Sequence, residues 1–315
     1  MRLPALFLLC LTALPAQTLL VLNKEDSNLA FLDVKTGKVT TTVPVGFQPH
    51  EITVSGDGKF AFVSNYGNGP QPGNTISMID LAAKKELRRV DVSPLGRPHG
   101  IFWSEGKVLF TSEANKLIAR YDPVANRMDW MLGTGQNTTH MVAVSRDRSQ
   151  IYTANIGANT ITIIDVAKNY EETVVPVGKG PEGFDLSPDG KQLWAAHSQD
   201  GGVSIIDLNA KKVTGNFDAG TKRSNRLKFT PDGKTVLISD LAAGELLFID
   251  VATRKVVKKI PAGKSTEGIL ITPDGATAYV AANGDNVILV VDLKSRSVTG
   301  KLEPGKGPDG MALLP

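Results

Sequence analysis

Apolar and polar positions along this chain alternate in short bursts rather than in helical stripes. Brief runs of Val, Ile, Leu and aromatic residues are cut off at near-regular intervals by Gly, Asn, Asp and Lys. That pattern predicts strands joined by hairpin turns. One sentence is repeated with variations, and its clearest copy is Pro181-Glu182-Gly183-Phe184-Asp185-Leu186-Ser187-Pro188-Asp189-Gly190-Lys191-Gln192-Leu193-Trp194-Ala195-Ala196-His197. The apolar residues before Ser187 and after Lys191 read as two strands. Between them Pro188 pre-sets φ, Asp189 folds back on its own backbone and Gly190 accepts positive φ. Variants of the turn stand at Ser55-Gly56-Asp57-Gly58, Thr230-Pro231-Asp232-Gly233 and Thr272-Pro273-Asp274-Gly275.

A second landmark fixes the period. Apolar strands end in Asp33, Asp80, Asp122, Asp165, Asp207, Asp250 and Asp292, at spacings of 47, 42, 43, 42, 43 and 42. Four short strands in a unit of about 42 residues are the pattern of a propeller blade. In blade four the strands A to D, from the axis outward, are expected at 183–187, 192–196, 203–207 and 212–217. The C-terminus supplies one further strand A and stops, whereas the N-terminus supplies strands B, C and D at 18–23, 29–33 and 39–43 without an A. The expected fold is therefore all-β: a seven-bladed β-propeller of four-stranded antiparallel blades, closed by a composite blade from both termini that leaves no open sheet edge. The aspartates, present in every blade, are expected to cap the C–D turns.

Phe62-Val63-Ser64-Asn65, Tyr152-Thr153-Ala154-Asn155, the runs Asn74-Thr75-Ile76-Ser77-Met78-Ile79-Asp80 and Asn159-Thr160-Ile161-Thr162-Ile163-Ile164-Asp165, and the Gly-x-x-Pro-x-Gly lead-ins resemble the YVTN-type, WD40-like propeller repeat. The resemblance covers essentially the whole chain after the leader and implies a seven-bladed ring. It leaves function open, since that fold hosts binding proteins, scaffolds and enzymes alike.

Composition refines this picture at three points. The 35 basic and 32 acidic residues are spread along the chain, so nucleic acid is not an expected partner; Lys222-Arg223 with Arg226 reads as a solvated cluster. Residues 1–16 have a short basic start, an apolar middle and Ala16, the build of a signal peptide, and 17–315 are expected as one propeller domain. A periplasmic or secreted monomer without a transmembrane segment follows. The single cysteine, Cys10, lies in that leader, so no disulfide, thiolate metal site or haem attachment is expected in the mature chain.

The candidate chemistry lies at one mouth of the channel. Counting back five residues from each turn gives the start of strand A in each blade: His50, His99, His140, Glu182, Asn225, Glu267 and Asp309. All are polar. The ends of strand B, Asn23, Asn65, Glu113, Asn155, His197, Asp240 and Asn283, are expected at the same mouth. All four histidines fall on these two rings, so the mouth uses imidazole. Ligand-binding candidates are His50, His99, His140, Glu182, His197, Asn225, Asp240, Glu267 and Asp309. In one reading these residues only line a wet channel. In another, His50, His99 and His140 converge on zinc or copper.

Two functions remain in play. One is an exported binding or scaffold module of the cell envelope, holding a small molecule, metal or protein partner. The other is a lactonase-type or metal-dependent hydrolase, with His99 and Arg97, or His140 with Glu182 and Glu267, as catalytic candidates.

Overall fold

The computed structural model describes residues 17–314; the expected leader, with Cys10, lies outside the described residues. Seven sheets of four antiparallel strands are arranged as blades, with almost no helix. The inner strands A, one per blade, are Pro49–Val54, Pro98–Ser104, Thr139–Val144, Pro181–Leu186, Ser224–Phe229, Thr266–Ile271 and Pro308–Leu314. The seventh blade is the composite one: Pro308–Leu314 pairs with Thr18–Asn23, so that Thr18 faces Leu314 and Leu20 faces Ala312. Closure thus joins the two ends of the chain within one sheet.

The hairpin turns form as their sequence dictates. Ser187 Oγ donates to Asp189 Oδ1 at 2.6 Å, the same carboxylate accepts Lys191 N at 3.1 Å, and Gly190 takes φ +71°. The turn at Thr272 repeats this with Asp274 and Gly275 at φ +70°. Blade two departs: its A–B hairpin closes through Glu105 and Gly106 alone, both at positive φ. Such a two-residue loop matches the twist of the flanking strands.

Six of the seven repeated aspartates cap the C–D turn through backbone N–H groups, as Asp33 does for Thr36 N at 2.7 Å and Asp250 for Thr253 N at 2.8 Å. Asp165 is the exception. A short 3-10 turn follows it, and its carboxylate takes Gln150 Nε2 and Lys211 of the next blade instead.

Among the described residues, seven apolar clusters fill the seven interfaces between blades. Phe62 and Ile76 of blade one pack on Phe110 and Tyr121 of blade two, for example, and Tyr279 and Ile288 of blade six pack on Leu19 and Leu32 of the composite blade. Each face of a blade is apolar because both are covered. Closest to the axis, small residues let the inner strands approach. A Cβ on Gly183 would stand 2.5 Å from Asn225 O in the next blade, and one on Gly310 would stand 2.3 Å from His50 O. Gly100 and Gly268 occupy the same place, third in strand A, with the same backbone proximity. None of the described helices is long and apolar enough to cross a membrane.

Candidate functional site

A cavity of about 520 Å³ opens at the mouth of the channel where the inner strands begin. The residues expected at the strand-A starts, which prove to be second in each inner strand, His50, His99, His140, Glu182, Asn225, Glu267 and Asp309, all line it. They are held there by the hairpins behind them. Ser64 Oγ of blade one donates to His99 O at 2.7 Å, and Thr111 Oγ1 of blade two donates to His140 O at 2.6 Å. The second strands of blades one and two therefore fix the next blade's contribution to the mouth.

The mouth has two unlike halves. Blades one to three supply aromatic rings: His50 and His99 lie 5.3 Å apart between centroids, and His99 and His140 lie 3.7 Å apart at 31°. Tyr66 closes the group, 4.6 Å from His50 and 5.2 Å from His99. Burial lowers the His50 pKa to about 4, helped by the Lys24 charge. Burial, then the neighbouring His140 and His50, keep His99 well below the ordinary histidine range. These two rings are accordingly neutral at pH 7.

His140 is oriented by a carboxylate. Its Nδ1 lies 2.5 Å from Glu113 Oε1, and Tyr66 Oη donates to Glu113 Oε2 at 2.6 Å. Burial alone would raise the Glu113 carboxyl, but the hydrogen bond and charge of His140 and the Tyr66 hydroxyl hold it below its ordinary value. Burial and that same carboxylate push the Tyr66 phenol up to about 12. An ionised carboxylate only accepts, so Nδ1 carries a hydrogen, and Nε2 is the nitrogen at which the ring exchanges its other proton. That Nε2 is buried and has no partner in the protein, as is His99 Nδ1.

Blades four to seven supply charge. Asn225 Nδ2 donates to Glu182 Oε1 at 2.7 Å. Lys24 bonds Glu267 and stands 3.3 Å from Asp309 Oδ2, whose other oxygen is buried and unpartnered. Burial lifts the Glu267 carboxyl to about 7, reinforced by Asp309, while Lys24 opposes the shift. Asp309 moves the other way: against its burial, Lys24 and Arg226 hold it ionised. One step further along the channel, Arg226 of blade five reaches across to Glu51 of blade one and forms a buried ion pair over the axis. Burial works against the Arg226 charge, but Glu51, Asp309, Glu182 and Glu267 together raise its pKa further.

Several sequence expectations are corrected here. His197 and Asp240 do not face the mouth. His197 Nδ1 bonds Asp200 Oδ1 at 2.9 Å beside a separate outer cleft, and Asp240 caps Lys222 N and Arg223 N. The asparagines at the same place turn inward to their own blade, as Asn65 does onto Thr75 and Ser77, and the following residue faces the cavity instead: Lys24, Tyr66 and Ile156. Glu113 reaches the mouth because the blade-two hairpin is two residues shorter than that of blade one.

Arg97 does not pair with His99. Its guanidinium lies 5.2 Å from the Tyr66 ring centre and bonds the carbonyls of Asn68 and Gly69, anchoring the blade-one insertion at the rim. Glu182 and Glu267 stand among the charged residues and are not the partners of His140. Arg226 is not a solvated basic residue. Its signal was the third position of strand A, where four blades carry glycine, blade three carries Met141, and blades one and five carry Glu51 and Arg226.

The three histidines come together as a ring cluster, His140 lying over His99 at 31° and His50 meeting His99 edge-on at 61°, not as a coordination site. The in-plane lone pairs of His99 and His140, whose rings overlap at 3.7 Å, do not converge on one point about 2 Å from each nitrogen. Among the described residues no group of three or more His, Cys, Asp or Glu is arranged to hold a metal ion, so the expected zinc or copper set does not fit this mouth.

A family model described as Lactonase, 7-bladed beta-propeller matches residues 95–223. Dihydro-heme d1 dehydrogenase of Pseudomonas aeruginosa is 32% identical over 214 residues, covering 62% of this chain and 41% of that protein. Antigen Lp49 of Leptospira interrogans is 26% identical over 188 residues, covering 52% of this chain and 40% of that protein. The chain thus spans about two fifths of the length of the curated relatives it matches. A structure from Bacteroides uniformis provisionally named a 6-phosphogluconolactonase superposes with a TM-score of 0.77 at 17% identity, covering 95% of this chain and 99% of that one. At that identity the likeness concerns the fold.

Proposed function

We propose that the axial mouth binds a small molecule and that the Glu113–His140 pair opens a lactone or comparable ester in it. The observation that carries this reading is the unpartnered, buried Nε2 of an imidazole whose other nitrogen is held by an ionised carboxylate, in the wall of a 520 Å³ cavity. That is the arrangement of a general base. Nε2 takes a proton from water as the oxygen attacks the carbonyl carbon, and Glu113 stabilises the imidazolium that forms. The tetrahedral oxyanion faces the Lys24 ammonium, two of whose three protons are engaged with Glu267 and Asp309. On collapse the ring oxygen leaves and takes the proton back from Nε2, which gives the hydroxy acid. The lactonase family model over residues 95–223, which include His99, Glu113, His140 and Glu182, supports the same reaction class.

A second reading is favoured by the aromatic half of the mouth. His50, His99, His140 and Tyr66 present a contiguous aromatic wall that suits an apolar ring face held without turnover, as a periplasmic or secreted binding module would hold it. One experiment separates the two. The purified protein is incubated with a panel of lactones beside Glu113→Gln and His140→Asn. Turnover in the wild type that falls about 100-fold or more in both variants supports hydrolysis. Thermal stabilisation by a ligand that is never consumed, equal in the wild type and Glu113→Gln, refutes it in favour of binding alone.

A further inference from the structure

The donors and acceptors left over in the mouth bear on which ligand it takes. Every buried cation there is already matched: Lys24 with Glu267 and Asp309, Arg226 with Glu51. The amide nitrogen of Asn225 is likewise given to Glu182. Beside the third Lys24 proton and His99 Nδ1, the protein leaves buried acceptors unpaired in the mouth: Asp309 Oδ1, only 2% of whose residue surface is exposed, and, in the neutral ring, the Nε2 of His140. Five carboxylates, from Glu51, Glu113, Glu182, Glu267 and Asp309, surround or underlie the cavity. Three cations face them, Lys24, Arg226 and the exposed Arg223 at the rim, so the formal balance is negative. A buried acceptor without a donor is costly, and an added anion would meet uncompensated carboxylates in a low-dielectric site.

We infer that the mouth selects an uncharged ligand rich in hydroxyl donors, a polyhydroxylated sugar-like lactone, and discriminates against its phosphorylated or carboxylated counterparts. The inference deepens the hydrolytic reading and rests on the same cavity, but concerns binding. One hydroxyl donates to Asp309 Oδ1, a second reaches the free oxygen of Glu182, and the sugar face lies on the aromatic half. A cavity of this size falls in the range of about 300–1,000 Å³ that encloses small organic ligands. A phosphate would instead need at least one unmatched cation deep in the mouth, and the buried ones are matched.

The test uses the whole protein and two non-hydrolysable probes, a polyhydroxylated sugar lactam and its 6-phosphate, with dissociation constants from calorimetry and with turnover of the corresponding lactones measured separately. The neutral lactam is expected to bind at least about 100-fold more tightly than its phosphate, since like-charge juxtaposition at an interface costs several kcal/mol. Asp309→Asn with Glu182→Gln is expected to bring the ratio within about 10-fold. Should that variant fail to fold, the wild type at 1 M salt serves instead, and its ratio is expected to shrink by screening. Equal or tighter binding of the phosphate, no binding of the neutral lactam, or a ratio unmoved in the folded variant overturns the inference. Selective binding of the lactam without turnover of any lactone upholds it while removing the hydrolytic reading.

Discussion

Replacing Arg226 by Met removes the guanidinium that bridges the channel axis and leaves Glu51 facing it alone. The two residues are 175 positions apart in sequence and belong to blades one and five, so nothing local compensates for the loss. Breaking a buried pair by removing one partner costs about 3–5 kcal/mol, most of it the desolvated charge left behind. The upper end applies here, because Asp309, Glu182 and Glu267 also lose the cation they share. With roughly 300 residues unfolding and about 2.1 cal/mol/K of entropy per residue, each degree of melting temperature corresponds to about 0.6 kcal/mol. The apparent Tm should therefore fall by about 8 °C in calorimetry or near-UV circular dichroism. Adding Glu51→Met should restore part of that loss, because an apolar pair replaces the orphaned carboxylate, yet not all of it, because three carboxylates remain. A single variant that melts within 1 °C of wild type, or a double variant no better than the single, would mean that the pair is solvated and does not close the channel.

Three further outcomes follow from the geometry. The His50 imidazole, ordinarily at 6.5 and held at about 4 by burial, binds fewer protons folded than unfolded, so its contribution is intact above 6.5 and declines as pH falls toward 4, by about 3 kcal/mol. The acid limb of a Tm-against-pH curve should be shallower in His50→Gln, and an unchanged limb contradicts the assignment. Gly183→Ala drives a Cβ to 2.5 Å from the Asn225 carbonyl and should cost about 1–3 kcal/mol, whereas Gly133→Ala, with open space around it, should change stability little; equal effects in thermal melts would show that the inner strands are not in close contact. Deleting residues 307–315 removes the strand that pairs with Thr18–Asn23 and should abolish the single sharp melting transition, while a chain that melts unchanged would show that the ring does not need its closure.

The fold was legible because its signals are local and repeated. Ser187-Pro188-Asp189-Gly190 announces a turn wherever it occurs, and the terminal aspartates give the period without reference to contacts. The mouth-lining position of each inner strand was equally legible, since it stands a fixed count before that turn. Across the hairpin the same count failed. A register shift near the mouth, as between Pro49 and Glu51 opposite Asn65 and Ser64, makes the parity of the last strand-B residues invisible in sequence. It sent His197 and Asp240 to the wrong side and hid Lys24 and Tyr66. Arg226 was obscured by its neighbours: among Lys222 and Arg223 it looks like part of a charged surface. Its distinguishing mark was the company it keeps one blade away, where Gly183 and Gly268 occupy the equivalent place.

The mouth draws one side chain from the head of each inner strand, and these seven strands are otherwise fastened by turns, caps and interface clusters lying elsewhere in each blade. The scaffold thereby separates inheritance from invention. A change at His50, Glu182 or Asn225 rewrites one letter of a seven-letter word without disturbing the spelling of the blade that carries it. Duplication of a blade multiplies the fastening residues, and drift at a single position gives each copy its own letter. A chain built this way can acquire a new ligand one blade at a time.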